Sequence, residues 1–172
     1  MEQFLSYWLE WPSIAAFLKA YAWAWPLMEV THFVGLCLLL GIVGMFDLRL
    51  LGFAKGLPVK ALSRLLPWGI FGFILCVVSG LAFTLGIKAN IAVNPYRVIA
   101  SDVYLQWKLV FIALAGVNLG MFYVTGAARE SDLVGPGQDA PMRARIIAGT
   151  SLFLWVGVMY FGRLIPWGSF GE

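Results

Sequence analysis

The only histidine of this 172-residue chain, His32, stands inside a long apolar segment, three residues after Glu29. Two side chains at this spacing lie on the same face of a helix. Lys108 and Arg163 occur in two further apolar segments. Ionisable side chains are costly in the interior of a membrane and commonly mark a functional site there. These four residues are therefore the candidates for binding a cofactor.

Two methionines extend this set toward metal binding. Met28 precedes His32 by four residues, and Met159 precedes Arg163 by four residues, so each pair shares a helix face. Imidazole nitrogen combined with thioether sulfur is a suitable ligand set for copper. The candidate metal ligands are His32, Met28 and Met159.

Three kinds of ligand suit such a cluster. The first is haem b, because a neutral imidazole can bind the iron axially while nearby cations neutralise the propionates. With one histidine per chain, the iron would be five-coordinate, bound by Met159 on its other side, or shared between subunits. The second is copper. The third is a quinone-like or anionic ligand held by Lys108 and Arg163, with Glu29 and His32 transferring protons.

An arrangement without any ligand also fits the sequence. Glu29, Lys108 and Arg163 would then form a buried network of salt bridges that fixes the packing of the helices. His32 would donate one hydrogen bond to this network. In that case the cluster has a structural role only.

The elements that must position these residues are membrane helices. The chain is 61% hydrophobic and 12% charged, with a mean hydropathy of +0.84, which excludes an ordinary soluble domain. Four apolar segments reach the length of about 20 residues needed to cross a bilayer, near 26–50, 65–87, 103–126 and 145–166. We predict an all-α integral membrane protein, a four-transmembrane-helix bundle forming a single membrane domain over residues 1–172. An aromatic-rich interfacial helix is expected near 2–22.

The distribution of cations predicts the orientation. Short connections rich in Lys and Arg stay on the cytoplasmic side, and such residues follow the first and third segments: Arg49, Lys55, Lys60, Arg64, Arg129, Arg143 and Arg145. We expect a multi-pass protein of the bacterial inner (plasma) membrane with both termini in the periplasm. The net charge of +3 then reflects topology and gives no reason to expect nucleic acid as a partner.

Two residues at the inner end of the first segment need partners. Asp47 is expected to pair with a cation of a connection, such as Arg64 or Arg143. Arg49 is expected to extend its side chain to the lipid headgroups.

Small residues predict where the helices pack closely. Gly69, Gly72, Cys76 and Gly80 lie on one stripe of the second helix, and Gly41 and Gly44 lie in the first. Small residues allow membrane helices to approach one another. We expect both groups to form contacts within the bundle.

The chain also resembles known families through short runs of residues. E-x-x-H-x-x-G from Glu29 to Gly35, F-D-L-R-L-L-G from Phe46 to Gly52, Lys108, and the pair at 162–163 resemble a family of small uncharacterised bacterial four-helix membrane proteins. A first-helix histidine, an arginine near the inner end and a third-helix lysine are more distantly similar to HemJ-type protoporphyrinogen oxidases and copper-resistance D proteins. The first of these similarities implies haem on His32 with Lys108 functionally important, and the second implies copper passage.

The sequence thus favours a redox-associated membrane protein with a haem- or quinone-type site near the outer face. Such a protein would act in the lipid bilayer, as a homo-oligomer or as a subunit of a larger electron-transfer complex. The alternatives are a copper-handling membrane protein and a structural accessory subunit without a cofactor. No Ser/His/Asp arrangement, phosphate-binding loop or pair of catalytic carboxylates occurs in the sequence, so it does not predict hydrolase or kinase chemistry.

Overall fold

The computed structural model of the protein describes residues 12–91 and 95–168. Within these residues the chain forms helices and no strands. The helices are α1 (Pro12–Ala20), α2 (Ala24–Leu51), α3 (Val59–Ser63), α4 (Leu66–Ile91), α5 (Pro95–Ser101), α6 (Val103–Val124), α7 (Ala127–Asp132) and α8 (Met142–Leu164), followed by a 3-10 turn over Ile165–Trp167.

Four of these helices, α2, α4, α6 and α8, are long and apolar enough to cross a membrane. The prediction of an all-α, four-helix membrane bundle is confirmed. Local sequence features mark the boundaries of these helices. Gly52 closes α2 in the left-handed conformation, with φ of 107°, which glycine adopts without strain. Asp102 begins α6, because its carboxylate accepts a hydrogen bond of 2.8 Å from the backbone N–H of Leu105.

The bundle consists of two helix pairs. α2 packs along α4 and α6 packs along α8, and the pairs meet mainly through α2 and α8. At the closest approach of α2 and α4, a Cβ added to Gly35 would lie 2.8 Å from the carbonyl oxygen of Gly72. By contrast, a Cβ at Gly41 or Gly44 would meet nothing within 4 Å. The contact predicted for Gly72 is confirmed, whereas the one predicted for Gly41 and Gly44 is wrong.

One end of the bundle, which we call the Arg49 end, contains the main apolar core. It is built from the end of α2, the start of α8 and the short helices α3 and α7. Its buried members are Phe46, Leu50, Val59, Phe122, Ala127, Val134, Ala140, Ala144, Ile147 and Ala148. This core holds the two connections 52–58 and 133–141 against the spanning helices.

Arg49 is fully buried at this end. Its Nε donates to the carbonyl oxygen of Leu57 at 2.5 Å, and its Nη2 donates to that of Gly135 at 3.0 Å. Both terminal nitrogens also reach the carbonyl oxygen of Gln138 at 3.3 Å. The expectation that Arg49 extends to the headgroups is wrong, because the folded connections supply carbonyl acceptors that a linear sequence does not reveal.

Asp47 is also buried, with 5% of its surface exposed. The side chain that acts on its carboxylate is the hydroxyl of Ser151 on α8, and its Oδ2 has no hydrogen-bond partner. Over the described ranges the one ion pair joins Lys55 and Asp139, at 2.8 Å. The expected pairing of Asp47 with a cation of a connection does not form there.

Near the amino terminus, α1 covers part of the interfacial helix predicted over 2–22, of which residues 2–11 lie outside the described residues. α1 packs against α4. Leu18 is buried at this contact, next to Gly86. On its other side α1 exposes Phe17 to the surroundings, so this short helix combines a packed face with an apolar outer face.

Candidate functional site

The opposite end of the bundle, which we call the His32 end, brings together the start of α2, the end of α4, the start of α6 and the end of α8. This arrangement follows from four helices that alternate in direction. It places His32, Lys108 and Arg163 at the same end of the molecule, as their positions in the sequence predict.

His32 is half-buried on α2 and contacts α4 through its imidazole ring. The distance between its Nδ1 and the hydroxyl oxygen of Ser79 is 2.8 Å. Ser79 has one hydroxyl proton, and the carbonyl oxygen of Leu75 at 2.6 Å is its nearest acceptor. We assign the proton to that bond, so the Ser79 oxygen accepts from Nδ1–H of His32. The ring also makes a hydrogen bond with the backbone of Cys76. In this tautomer Nε2 carries a lone pair, for which no donor occurs within the described part of the chain.

Other groups of α4 surround the imidazole. The ring of Phe83 meets it edge-on, with centroids 5.7 Å apart. The thiol of Cys76 donates to the backbone carbonyl of His32 at 3.6 Å. A Cβ added to Gly80 would lie 3.9 Å from Cε1 of the ring, so glycine leaves space beside the imidazole. One helix thus fixes the ring orientation.

Lys108 reaches the same region from α6. Its side chain lies over Gly162 of α8, where an added Cβ would be 3.5 Å from Nζ. Its positive charge acts on the imidazole of His32 and on the thiol of Cys76. Across the residues that the structure describes, the ammonium has neither an ion pair nor a hydrogen bond. Lys108 is therefore a half-buried cation without an acidic partner there.

Glu29 and Arg163 do not join this cluster. Glu29 is exposed, and its Oε1 accepts a hydrogen bond of 3.1 Å from the indole N–H of Trp25. The guanidinium of Arg163 lies over the ring of Trp167, 4.9 Å from its centroid, in a cation–π contact. Neither forms a salt bridge with another described residue. The network of salt bridges among Glu29, Lys108 and Arg163 is therefore absent from residues 12–91 and 95–168.

Neither predicted methionine ligand takes part in the described hydrogen bonds or ring contacts of the imidazole. Met159 is 43% exposed on α8. Met28 is half-buried on α2, one turn before His32. In the described ranges, no group of three or more His, Cys, Asp or Glu side chains is placed to hold a metal ion. Of the predicted site residues, the structure places Lys108 within range for its charge to act on the imidazole of His32.

Sequence reasoning missed Ser79. It is the only serine of α4 and lies one turn from Cys76, next to the stripe of small residues. The sequence feature that could have indicated Ser79 is a hydroxyl residue next to that stripe, on a helix that neighbours the one with the histidine. The register between α2 and α4, which makes this signal meaningful, is set by the contact of Gly35 with Gly72.

The fold and site define a multi-pass, all-α membrane protein with one oriented histidine near one end of the bundle. A scan against protein-family models, a search of curated proteins and a search of solved structures each found no match. The proposal for its function therefore rests on the chemistry of these side chains.

Proposed function

We propose that the protein is a redox-associated membrane protein that binds a haem-type group through Nε2 of His32. The observation that carries this proposal is the hydrogen bond between Nδ1 of His32 and Ser79. Histidines that bind a metal usually donate their other ring N–H to a fixed acceptor, which sets the tautomer and the orientation of the ring. Ser79 supplies that acceptor from a neighbouring helix.

Lys108 has a defined part in this proposal. A haem group carries two propionates, and burying a charge without a partner is unfavourable. Because Lys108 has no acidic partner in the described part of the chain, its ammonium is available to a propionate near His32. A bound haem would supply one-electron chemistry, while the chain holds the iron through His32 and an anionic group through Lys108.

A quinone-type ligand is the second candidate, and the same tautomer favours it. Nε2 of His32 can accept the hydroxyl proton of a quinol, and Lys108 can donate to a carbonyl oxygen of the ring. The half-buried positions of both side chains suit a ligand that enters from the lipid. Copper has less support, since Met159 is largely on the bundle surface and only Met28 lies one turn from His32.

For the orientation, we propose that the Arg49 end faces the cytoplasm of a bacterial plasma membrane. This proposal rests on the excess of Lys and Arg in the connections at that end. Alkaline phosphatase fused after residue 172 is then active in the periplasm. An inactive fusion at this position, together with an active one in the connection 133–141, would reverse the orientation.

The haem proposal is tested by the absorption spectrum of the protein purified in mild detergent from haem-replete cells. We expect a Soret band in the native protein and its loss in His32→Ala. Phe33→Ala is the matched control, because Phe33 is the next residue and is 64% exposed; it should keep the band. Equal spectra for all three proteins would contradict ligation by His32.

The other candidates give different results in the same preparation. Organic extraction detects a bound quinone. A native protein that contains a quinone but shows no Soret band, and that loses the quinone in Lys108→Met, would favour a quinone over haem as the ligand. Elemental analysis that finds copper, lost in His32→Ala, would favour copper handling. A protein without haem, quinone or copper would favour the structural accessory role.

A further inference from the structure

A cavity of about 250 Å³ lies at the Arg49 end, far from His32, between the start of α4 and the end of α6. Its walls are mainly apolar and include Phe46, Leu66, Ile70 and Phe122. The rim is polar, with Ser63 of α3 and Asp132 of α7. The cavity therefore has an apolar interior and a polar margin.

The cavity opens on the outer surface of the bundle. Ile70 and Tyr123 both line it, yet 55% and 58% of these side chains are exposed. They belong to α4 and α6, which are members of different helix pairs and do not pack closely on each other. In a bilayer, this opening faces lipid.

Charges of both signs stand beside the rim. Arg129 is exposed on α7, three residues before Asp132, so the two side chains share a face of that helix. Neither forms an ion pair or a hydrogen bond with a described residue. The rim thus offers one guanidinium group and one carboxylate to a ligand that carries both charges.

We propose that this cavity and its rim bind one phospholipid with a zwitterionic, amine-bearing headgroup. Part of one acyl chain fills the cavity, the phosphate contacts Arg129, and the ammonium contacts Asp132. Sites for drug-sized ligands usually enclose about 300–1,000 Å³, so this cavity holds a chain segment and leaves the rest of the lipid in the bilayer. An anionic headgroup without an amine would face the carboxylate of Asp132 unfavourably.

The chain-binding part is tested by native mass spectrometry of the full protein in mild detergent, after exchange into phosphatidylethanolamine. Ile70→Trp places an indole in the cavity. Val78→Trp is the control, because Val78 is 60% exposed on the same helix, eight residues away. We expect Ile70→Trp to lower the lipid retained per protein about tenfold, as the loss of about two buried methylene groups would. Equal retention by both variants would overturn the proposal.

The headgroup part uses separate variants that leave the cavity intact. Asp132→Asn should abolish the preference for phosphatidylethanolamine over phosphatidylglycerol, and Arg129→Gln should lower retention of both lipids. Glu130→Gln changes an exposed acid of the same helix and should alter neither quantity. A native protein that retains phosphatidylglycerol as well as or better than phosphatidylethanolamine would contradict the proposal. Because this readout requires neither haem nor quinone, its failure is distinct from failure of the proposed function.

Discussion

The two ends of the bundle both contain buried or half-buried cations, and they differ in what those cations contact. At the Arg49 end, the guanidinium of Arg49 donates to three carbonyl groups of two connections. Lys55 pairs with Asp139. These hydrogen bonds use most of the N–H donors of Arg49 and join the connections to the spanning helices. Arg49 and Lys55, which the sequence predicts to be signals of orientation, thus also stabilise the fold.

At the His32 end, the hydrogen-bonding capacity is only partly used. Nδ1 of His32 is bound to Ser79, the ring also bonds to the backbone of Cys76, and no donor to Nε2 occurs among the described residues. Lys108 has no acid to pair with in the same part of the chain. For these basic side chains, the comparison teaches that one with most of its hydrogen bonds made stabilises the fold, whereas one with spare hydrogen-bonding capacity is a better candidate for a ligand site.

The largest effect expected from this comparison is on Arg49. Arg49→Ala removes the charged donor of three carbonyl groups, and hydrogen bonds to charged groups contribute about 1.5–3 kcal/mol each. We expect the free energy of unfolding, measured by denaturation in mixed detergent micelles, to fall by about 3 kcal/mol or more. Arg143→Ala removes an exposed cation of the same end and should change it by less than about 0.5 kcal/mol. Equal effects would mean that Arg49 acts only as a topology signal.

A second change tests the contact that aligns α2 with α4. A Cβ at Gly72 would lie 2.7 Å from the carbonyl oxygen of Gly35, so Gly72→Ala must push the helices apart. We expect a loss of about 1–3 kcal/mol in the free energy of unfolding. Gly41→Ala meets no neighbour within 4 Å and should be neutral or slightly stabilising. If Gly72→Ala lowers the free energy of unfolding no more than Gly41→Ala does, another contact must align His32 with Ser79.

A third change weakens the orientation of His32 without removing it. Ser79→Ala deletes the acceptor of the Nδ1–H hydrogen bond. We expect about tenfold weaker haem binding, as for other residues that orient a metal ligand, with the protein still folded by circular dichroism. Thr84→Ala alters another hydroxyl of α4, which bonds to the carbonyl of Gly80, and is the control. Unchanged haem affinity in Ser79→Ala would remove the main support for the haem proposal.

The smallest effect concerns the exposed pair of Lys55 and Asp139. The hydrogen bond and charge of Lys55 lower the pKa of Asp139, with smaller contributions from the charges of Arg145 and Arg49. Since the pKa is lower in the folded state, the pair stabilises the protein fully above the ordinary aspartate pKa of about 4, and this contribution is lost as the pH falls through the lowered pKa of the folded state. Lys55→Met should therefore lower the melting temperature slightly at pH 7, and by progressively less as the pH is lowered below about 4.

The control for this pair is Lys60→Met, since Lys60 is exposed and forms no ion pair with a described residue. Salt should reduce the effect of Lys55→Met at pH 7 because it screens exposed charges. A difference in melting temperature between the native protein and Lys55→Met that grows as the pH is lowered would contradict a lowered pKa of Asp139.

The comparison of the two ends also shows what the sequence can predict. Hydropathy located the four spanning helices, because a bilayer requires long apolar segments. The depth of His32 and Lys108 followed from alternating helices. The rotation of each helix did not, and it is rotation that leaves Glu29 and Arg163 exposed, where each contacts an aromatic residue four positions away. The partners of Arg49 depend on the path of two connections, for which hydropathy carries no information.

The central claim is that the free nitrogen of His32 binds haem iron, and a haem titration of the purified protein tests it most directly. The native protein should show a saturable Soret shift at one haem per chain. His32→Gly should lose this shift and regain it when free imidazole is added, because imidazole can replace the missing ligand. A native protein that shows no saturable shift, or a His32→Gly protein that binds as well as the native one without imidazole, would contradict the account.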